Sequence, residues 1–182
     1  MKRPVLAAAA LLLLAACAPH RPAIAEARRG WAEKVNKGLT DWSDVSSTMM
    51  VEKYGPPDRV ETLRLVWDHR GPWKRIEVWD ELELLDFDRA SSNIEQTISY
   101  PVPDNMRGVL ASFHRGLHVS PDGAELSARS SVEERNFLML NLADEIVKGL
   151  LSPKDAREAY SRTLRLADSG KSSPSMERLL FQ

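Results

Sequence analysis

The chain has 182 residues, 25 Lys and Arg against 26 Asp and Glu, a formal net charge of −1 and 43% hydrophobic side chains. So even a balance leaves no electrostatic footprint for nucleic acid or another polyanion, and one cysteine excludes an internal disulfide framework. The length is ordinary for one domain and sufficient to bury a core.

Met1-Lys2-Arg3 is a basic start, Val5 to Leu14 is an unbroken apolar run, and the small residues Ala15 and Ala16 follow. This is the three-part layout of a secretory signal. A spanning helix needs roughly 20 apolar residues, and an amphipathic core helix needs a polar face, which is absent before residue 17. Leu14-Ala15-Ala16-Cys17 resembles the lipobox of bacterial lipoproteins: an aliphatic residue, two small ones, then cysteine. The resemblance implies a diacylglyceryl thioether on Cys17, cleavage before it, and acylation of the new α-amino group, palmitate being a typical chain. Each buried methylene contributes about 0.8 kcal/mol, so two or three chains hold durably where one holds marginally. Ala18, rather than aspartate, follows the cysteine. In the family pattern that implies the outer membrane of a diderm host, with the protein facing the periplasm.

Removing residues 1–16 takes away Lys2 and Arg3 and leaves 23 basic against 26 acidic side chains. Residues 17–30, rich in Ala, Pro and Arg, form the expected tether. The periodicity then predicts a helix over residues 24–37, and a second one capped by Asp41 or Ser43, carrying Val45, Met49 and Val51. Gly55-Pro56-Pro57 stops it. Alternation of apolar and polar residues around Asp68-His69-Arg70-Gly71-Pro72 predicts a β-hairpin. Setting Leu65 against Ile76 and Leu63 against Val78 gives an apolar face, with Arg64 against Glu77 on the other. That register leaves Trp73 in the loop and Trp79 beside Thr62. Glu81 to Asp88 reads as a strand or an irregular link, and Ser91 or Ser92 caps a short helix through Ile98. Pro101 and Pro103 force an extended path. Gly108, Gly116 and Pro121-Asp122-Gly123 break the next stretch into short helical or strand pieces.

Ser131-Val132-Glu133-Glu134 has capping-box spacing, and Met139, Leu142, Ala143, Ile146, Val147 and Leu150 follow at helical intervals up to a stop at Gly149. Ser152-Pro153 starts another helix, with Ala156, Ala159, Tyr160, Thr163 and Leu164 on one side and Gly170 beyond its end. So short a connection makes the two antiparallel neighbours. Residues 169–182 read as a flexible tail, with Leu179, Leu180 and Phe181 able to dock.

Glu125-Leu126-Ser127-Ala128-Arg129, Glu133, "NFLMLNLADEIVKG", Ala156-Arg157 and Tyr160, with "ISYPVP" upstream, are similar to a family of uncharacterised exported bacterial proteins over residues 94–162. The resemblance implies one continuous domain and brings no activity with it. A helix, "YGPPDRV" and a hairpin also resemble the small outer-membrane lipoproteins of the β-barrel assembly machinery.

Three groups of residues are candidates for chemistry or binding. His114 and His118 have the spacing that puts two imidazoles on one helix face for a metal, although no glutamate follows His114 and Gly116 weakens the helix. Asp80, Glu81, Glu83, Asp86 and Asp88 form an acidic run without the glycine turn and terminal glutamate of a calcium loop. Trp67, Trp73 and Trp79 offer aromatic faces to a sugar or peptide. No serine-nucleophile elbow, phosphate loop or dinucleotide fingerprint is present, and no cofactor is expected. The expectation is an α+β domain over residues 31–168: N-terminal helices, a β-hairpin or small antiparallel sheet, and a C-terminal antiparallel helical pair. Its function reads as non-catalytic binding or envelope assembly, held to the membrane through lipid on Cys17, with an envelope protein or glycan as partner and no nucleic acid. The alternative is an anchored hydrolase or metal-binding enzyme using His114, His118 and the carboxylates.

Overall fold

The computed structural model describes residues 41–61, 64–79 and 92–181. Cys17, the helix expected over residues 24–37 and the acidic run at residues 80–88 lie outside them. The elements run α1 (Asp41–Tyr54), β1 (Arg59–Glu61), β2 (Arg64–Arg70), β3 (Trp73–Trp79), β4 (Ile94–Ser99), a 3-10 turn (Asp104–Met106), α2 (Arg107–Phe113), β5 (Leu117–Val119), β6 (Glu125–Ser130), α3 (Glu133–Val147), α4 (Pro153–Asp168) and α5 (Pro174–Glu177). The six strands form one antiparallel sheet in the order β1-β2-β3-β4-β6-β5. The chain is an α+β protein.

In the hairpin Leu65 stands opposite Val78 and Trp67 opposite Ile76, which displaces the expected pairing of Leu65 with Ile76 by two residues. A slip of two keeps the parity, so the apolar face is the expected one. The turn contracts to Gly71-Pro72, Trp73 leaves the loop and enters β3, and Trp79 stands opposite Arg64. Arg64 still meets Glu77, diagonally, through Nη1 and Oε1 at 2.5 Å. β4 replaces the short helix expected through Ile98. Ile94 and Ile98, four apart, fall on one side of a helix or a strand alike, and ladder bonds to β3 and β6 on both flanks decide for the strand.

One face of the sheet presents Leu65, Trp67, Ile76, Val78, Ile94, Ile98, Leu126 and Ala128 to the core, all buried. α3 packs on this side against β4 and β6, and also meets α4 and α5. Enclosed in this way, it buries Phe137, Leu138, Leu140 and Asn141 as well as Met139, Leu142, Ala143 and Ile146. Its first turn departs from expectation. Val132 is the N-cap and no side chain caps it, so the box between Ser131 and Glu134 does not form. Its end follows the glycine: Gly149 has φ +72°, its N–H donates to Ile146 O at 3.0 Å, and Leu150 N–H donates to Glu145 O at 2.8 Å. These are the two bonds of a left-handed helix stop. The stop carries Leu150 off the buried face into solvent, 68% exposed.

α4 begins as its sequence predicts, with Ser152 Oγ accepting from Asp155 N–H and Pro153 in the first turn. Residues 174–181 dock on α3, with Leu179 and Phe181 among them as their apolar side chains allow and Leu180 exposed. Asn141 Nδ2 donates to Ser175 O at 2.9 Å and Arg178 O at 2.8 Å, and its Oδ1 accepts from Leu180 N–H at 2.8 Å. Leu179 is buried beside these bonds, and Phe181 meets Tyr100 edge-on with centroids 5.4 Å apart.

Candidate functional site

The three tryptophans have separate fates. Trp67 and Trp73 belong to the core at 0% and 1% exposure. Trp67 Nε1 donates to Gly55 O at 2.9 Å, fastening the end of α1 to β2. Trp73 packs on Phe137 with centroids 4.8 Å apart. Rings enclosed this way present no face to a sugar or peptide. Trp79 is half-buried, and the guanidiniums of Arg64 and Arg129 lie 4.8 and 5.3 Å from its ring centre.

The histidine pair is not on a helix face. His114 follows α2 in extended conformation, its Nδ1 accepts from Gly116 N–H at 3.0 Å, and its ring tilts on Tyr160 at 5.0 Å. His118 sits on β5 opposite Ser127. Gly116 permits this path, because a Cβ there would lie 2.6 Å from Arg129 O where the chain passes close to β6. Among the described residues no three His, Cys, Asp or Glu side chains group as metal ligands would.

A polar centre that sequence reasoning misses lies under the sheet. Glu133, 3% exposed, opens α3 and turns its carboxylate into the core. Its Oε1 accepts from Trp73 Nε1 at 2.7 Å, Gln96 Nε2 at 2.9 Å and the Tyr54 hydroxyl, while Oε2 pairs with Lys53 Nζ. Gln96 Oε1 accepts in turn from Asn136 Nδ2 at 2.9 Å, and Asn136 Oδ1 accepts from Ser130 Oγ at 2.7 Å. Burial first, and then the bond and charge of Glu133, push the Tyr54 phenol well above its ordinary range. The carboxylate thereby joins α1, β3, β4 and α3. Both of its oxygens are taken up by structural donors. Its only sequence signal is a glutamate beside a capping-box position, and the partners are 37 to 80 residues away.

The opposite face of the sheet is a lattice of charges. Val66, Glu77, Glu95 and Arg129 form one cross-strand row; Asp68, Arg75, Thr97, Ser127 and His118 form the next. Glu77 receives Arg64 at 2.5 Å and Arg75 at 2.9 Å, and Lys74 reaches Glu125 at 2.5 Å. Thr97 and Ser127 share a hydroxyl bond at 2.9 Å. Arg64 and Arg75 keep 33% and 32% of their side-chain surface in solvent, so the face is only partly closed. No family model, curated protein or solved structure matches the chain.

Glu95 differs from its neighbours on this face. It stands directly opposite Glu77, and burial first, then that like charge, raises its carboxyl above the usual range, while His118, Arg129 and Arg75 oppose the shift. On this face Glu77, Thr97 and Ser127 are buried, and the groups that keep contact with solvent include the Arg64 and Arg75 guanidiniums, the half-buried Trp79 indole and His118. These groups suit directional recognition of a polar surface. No helix among the described residues is long and apolar enough to cross a membrane.

Proposed function

We propose that the chain is an exported lipoprotein, anchored by acyl groups on Cys17, whose domain binds an envelope protein or glycan without catalysing a reaction. The observation that carries this reading is Leu14-Ala15-Ala16-Cys17 in register behind a basic start and an apolar run. The domain's chemistry supports the non-catalytic part: its most elaborate polar centre spends both oxygens of Glu133 on structural donors. The partly exposed Arg64, Arg75 and Trp79, with the two arginines held by the buried Glu77, are the surface on which a polar partner would be met. Ala18 favours the outer membrane, with the domain in the periplasm. The rival reading as a hydrolase or metal enzyme needs His114 and His118 on one face, and these two occupy the end of α2 and strand β5.

Cys17→Ser removes the acyl acceptor, and no other cysteine can replace it. Expressed in a bacterial host, this variant should accumulate as unprocessed, unlipidated precursor, while the parent enters the detergent phase with a mass increment on Cys17. A variant processed and acylated like the parent sinks the proposal.

A further inference from the structure

α4 is the most strongly two-sided helix of the domain. Ala156 is fully buried, and Ala159, Tyr160 and Leu164 pack against the core. The helix therefore lies flat, and its other side looks outward. There Lys154, Arg157, Arg162 and Arg165, with Glu158 and Ser161, line a shallow groove of about 450 Å³. From Lys154 to Arg165 the row spans roughly 16 Å at about 1.5 Å per residue. Four cations against one carboxylate leave an excess of three positive charges on this strip. Of the helix's other acids, Asp155 accepts from Ser152 Oγ at 2.7 Å and Asp168 closes the last turn. Arg157 is partly committed, since Nη1 donates to Ser112 O. Lys154, Arg162 and Arg165 make no ion pair among the described residues. A chain of nearly even overall charge thus concentrates unpaired cations on one flat strip.

We infer that the basic side of α4 rests on the anionic headgroups of the bilayer that carries the Cys17 anchor. The inference depends on the anchored reading above. Charge complementarity selects the occupant: a row of exposed guanidiniums and one ammonium on a flat helix matches a plane of lipid phosphates better than a single bound anion, which would need a closed pocket. The anchor keeps the domain beside the membrane, so even a weak contact is populated. Each basic residue near such a surface contributes about 1 kcal/mol, so losing two should shift the docked fraction's equilibrium roughly 25-fold. Docking through α4 leaves the charged sheet face for a partner.

The test uses the full lipidated chain carrying Ser161→Cys, labelled with an environment-sensitive fluorophore and reconstituted in vesicles of phosphatidylcholine with or without phosphatidylglycerol. Cys17 is acylated and does not compete for label. A headgroup-attached quencher should reach the probe only in phosphatidylglycerol vesicles. Quenching should fall steeply in Arg162→Ala/Arg165→Ala, and vanish in about 1 M salt, where the screening length is about 3 Å. Protein that sediments with vesicles but shows the same quenching with and without phosphatidylglycerol overturns this inference and leaves the anchor standing. Protein that fails to sediment with either vesicle and lacks acyl mass on Cys17 overturns both.

Discussion

Trp73 and Glu133, 60 residues apart in sequence, are joined by an indole N–H to Oε1 hydrogen bond of 2.7 Å at the centre of the fold. The bond draws the start of β3 onto the first turn of α3, and Gln96 from β4 donates to the same oxygen. Trp73→Phe keeps a ring against Phe137 but removes the donor together with part of the buried indole volume. A hydrogen bond to a charged group is worth about 1.5–3 kcal/mol, so the unfolding free energy from denaturant titration should fall by at least about 1.5 kcal/mol. Glu133→Ala strands several donors at once and should cost about 3–5 kcal/mol. A Trp73→Phe protein as stable as the parent would remove this bond from the account of how the domain is held together.

Two of the phenols carry a prediction for alkaline pH. Tyr54 is raised by burial and by Glu133, and Tyr100 by burial and by its 2.9 Å bond to Asp144. The folded state holds both protons more tightly than the unfolded chain. Their stabilisation is therefore complete below the ordinary phenol value of about 10 and is lost as pH rises above it. Midpoints measured at rising pH should drop beyond about pH 10, and the drop should be shallower in Tyr54→Phe/Tyr100→Phe. Parallel curves for the two proteins would contradict the assignment.

Glu95 gives the opposite use of a raised group. Its folded-state carboxyl prefers to be protonated, so its favourable contribution is present below the unfolded value of about 4.3 and is lost as pH climbs through the higher folded value. Once ionised it is a carboxylate facing Glu77 across the ladder. Glu95→Gln should stabilise the protein by about 0.2–1 kcal/mol at pH 7, the scale of a like-charge cross-strand pair, with the gain fading toward pH 4. A substitution that destabilises at pH 7 would mean that the pairing with Arg129, not the repulsion, dominates.

What was legible in the sequence was local. Ser152-Pro153 and Gly149 mark helix boundaries through bonds within a turn or two, and α3 and α4 appear where those residues place them. The hairpin shows the limit of a period of two. Parity identifies the faces of β2 and β3, but a slip of two residues costs parity nothing, so the turn was misplaced and Trp73 with it. β4 was hidden because Gln96, an inward residue between Ile94 and Ile98, is polar and serves Glu133. The polar centre itself needs partners from four elements, and no window of the sequence contains them. His114 and His118 mislead in the converse way, with a regular spacing that falls across two elements on either side of Gly116.

The part played by Asn141 in docking the tail was not legible in the sequence and has a sharp test. Asn141 uses its whole amide on backbone groups of residues 175, 178 and 180. Asn141→Leu keeps the branched shape, at a larger volume, and leaves those groups without their partner, a loss of at least about 1–3 kcal/mol. Removing residues 172–182 should also destabilise the domain, because Leu179 and the Phe181 ring leave α3 and Tyr100. If the bonds to Asn141 are what hold the tail, the two changes cannot add. Asn141→Leu should then cost much less in the shortened chain than in the full one, where denaturation midpoints at equal slopes give the comparison. An equal cost in both backgrounds would mean that Asn141 stabilises α3 by itself and that the tail is held by Leu179 and Phe181 alone.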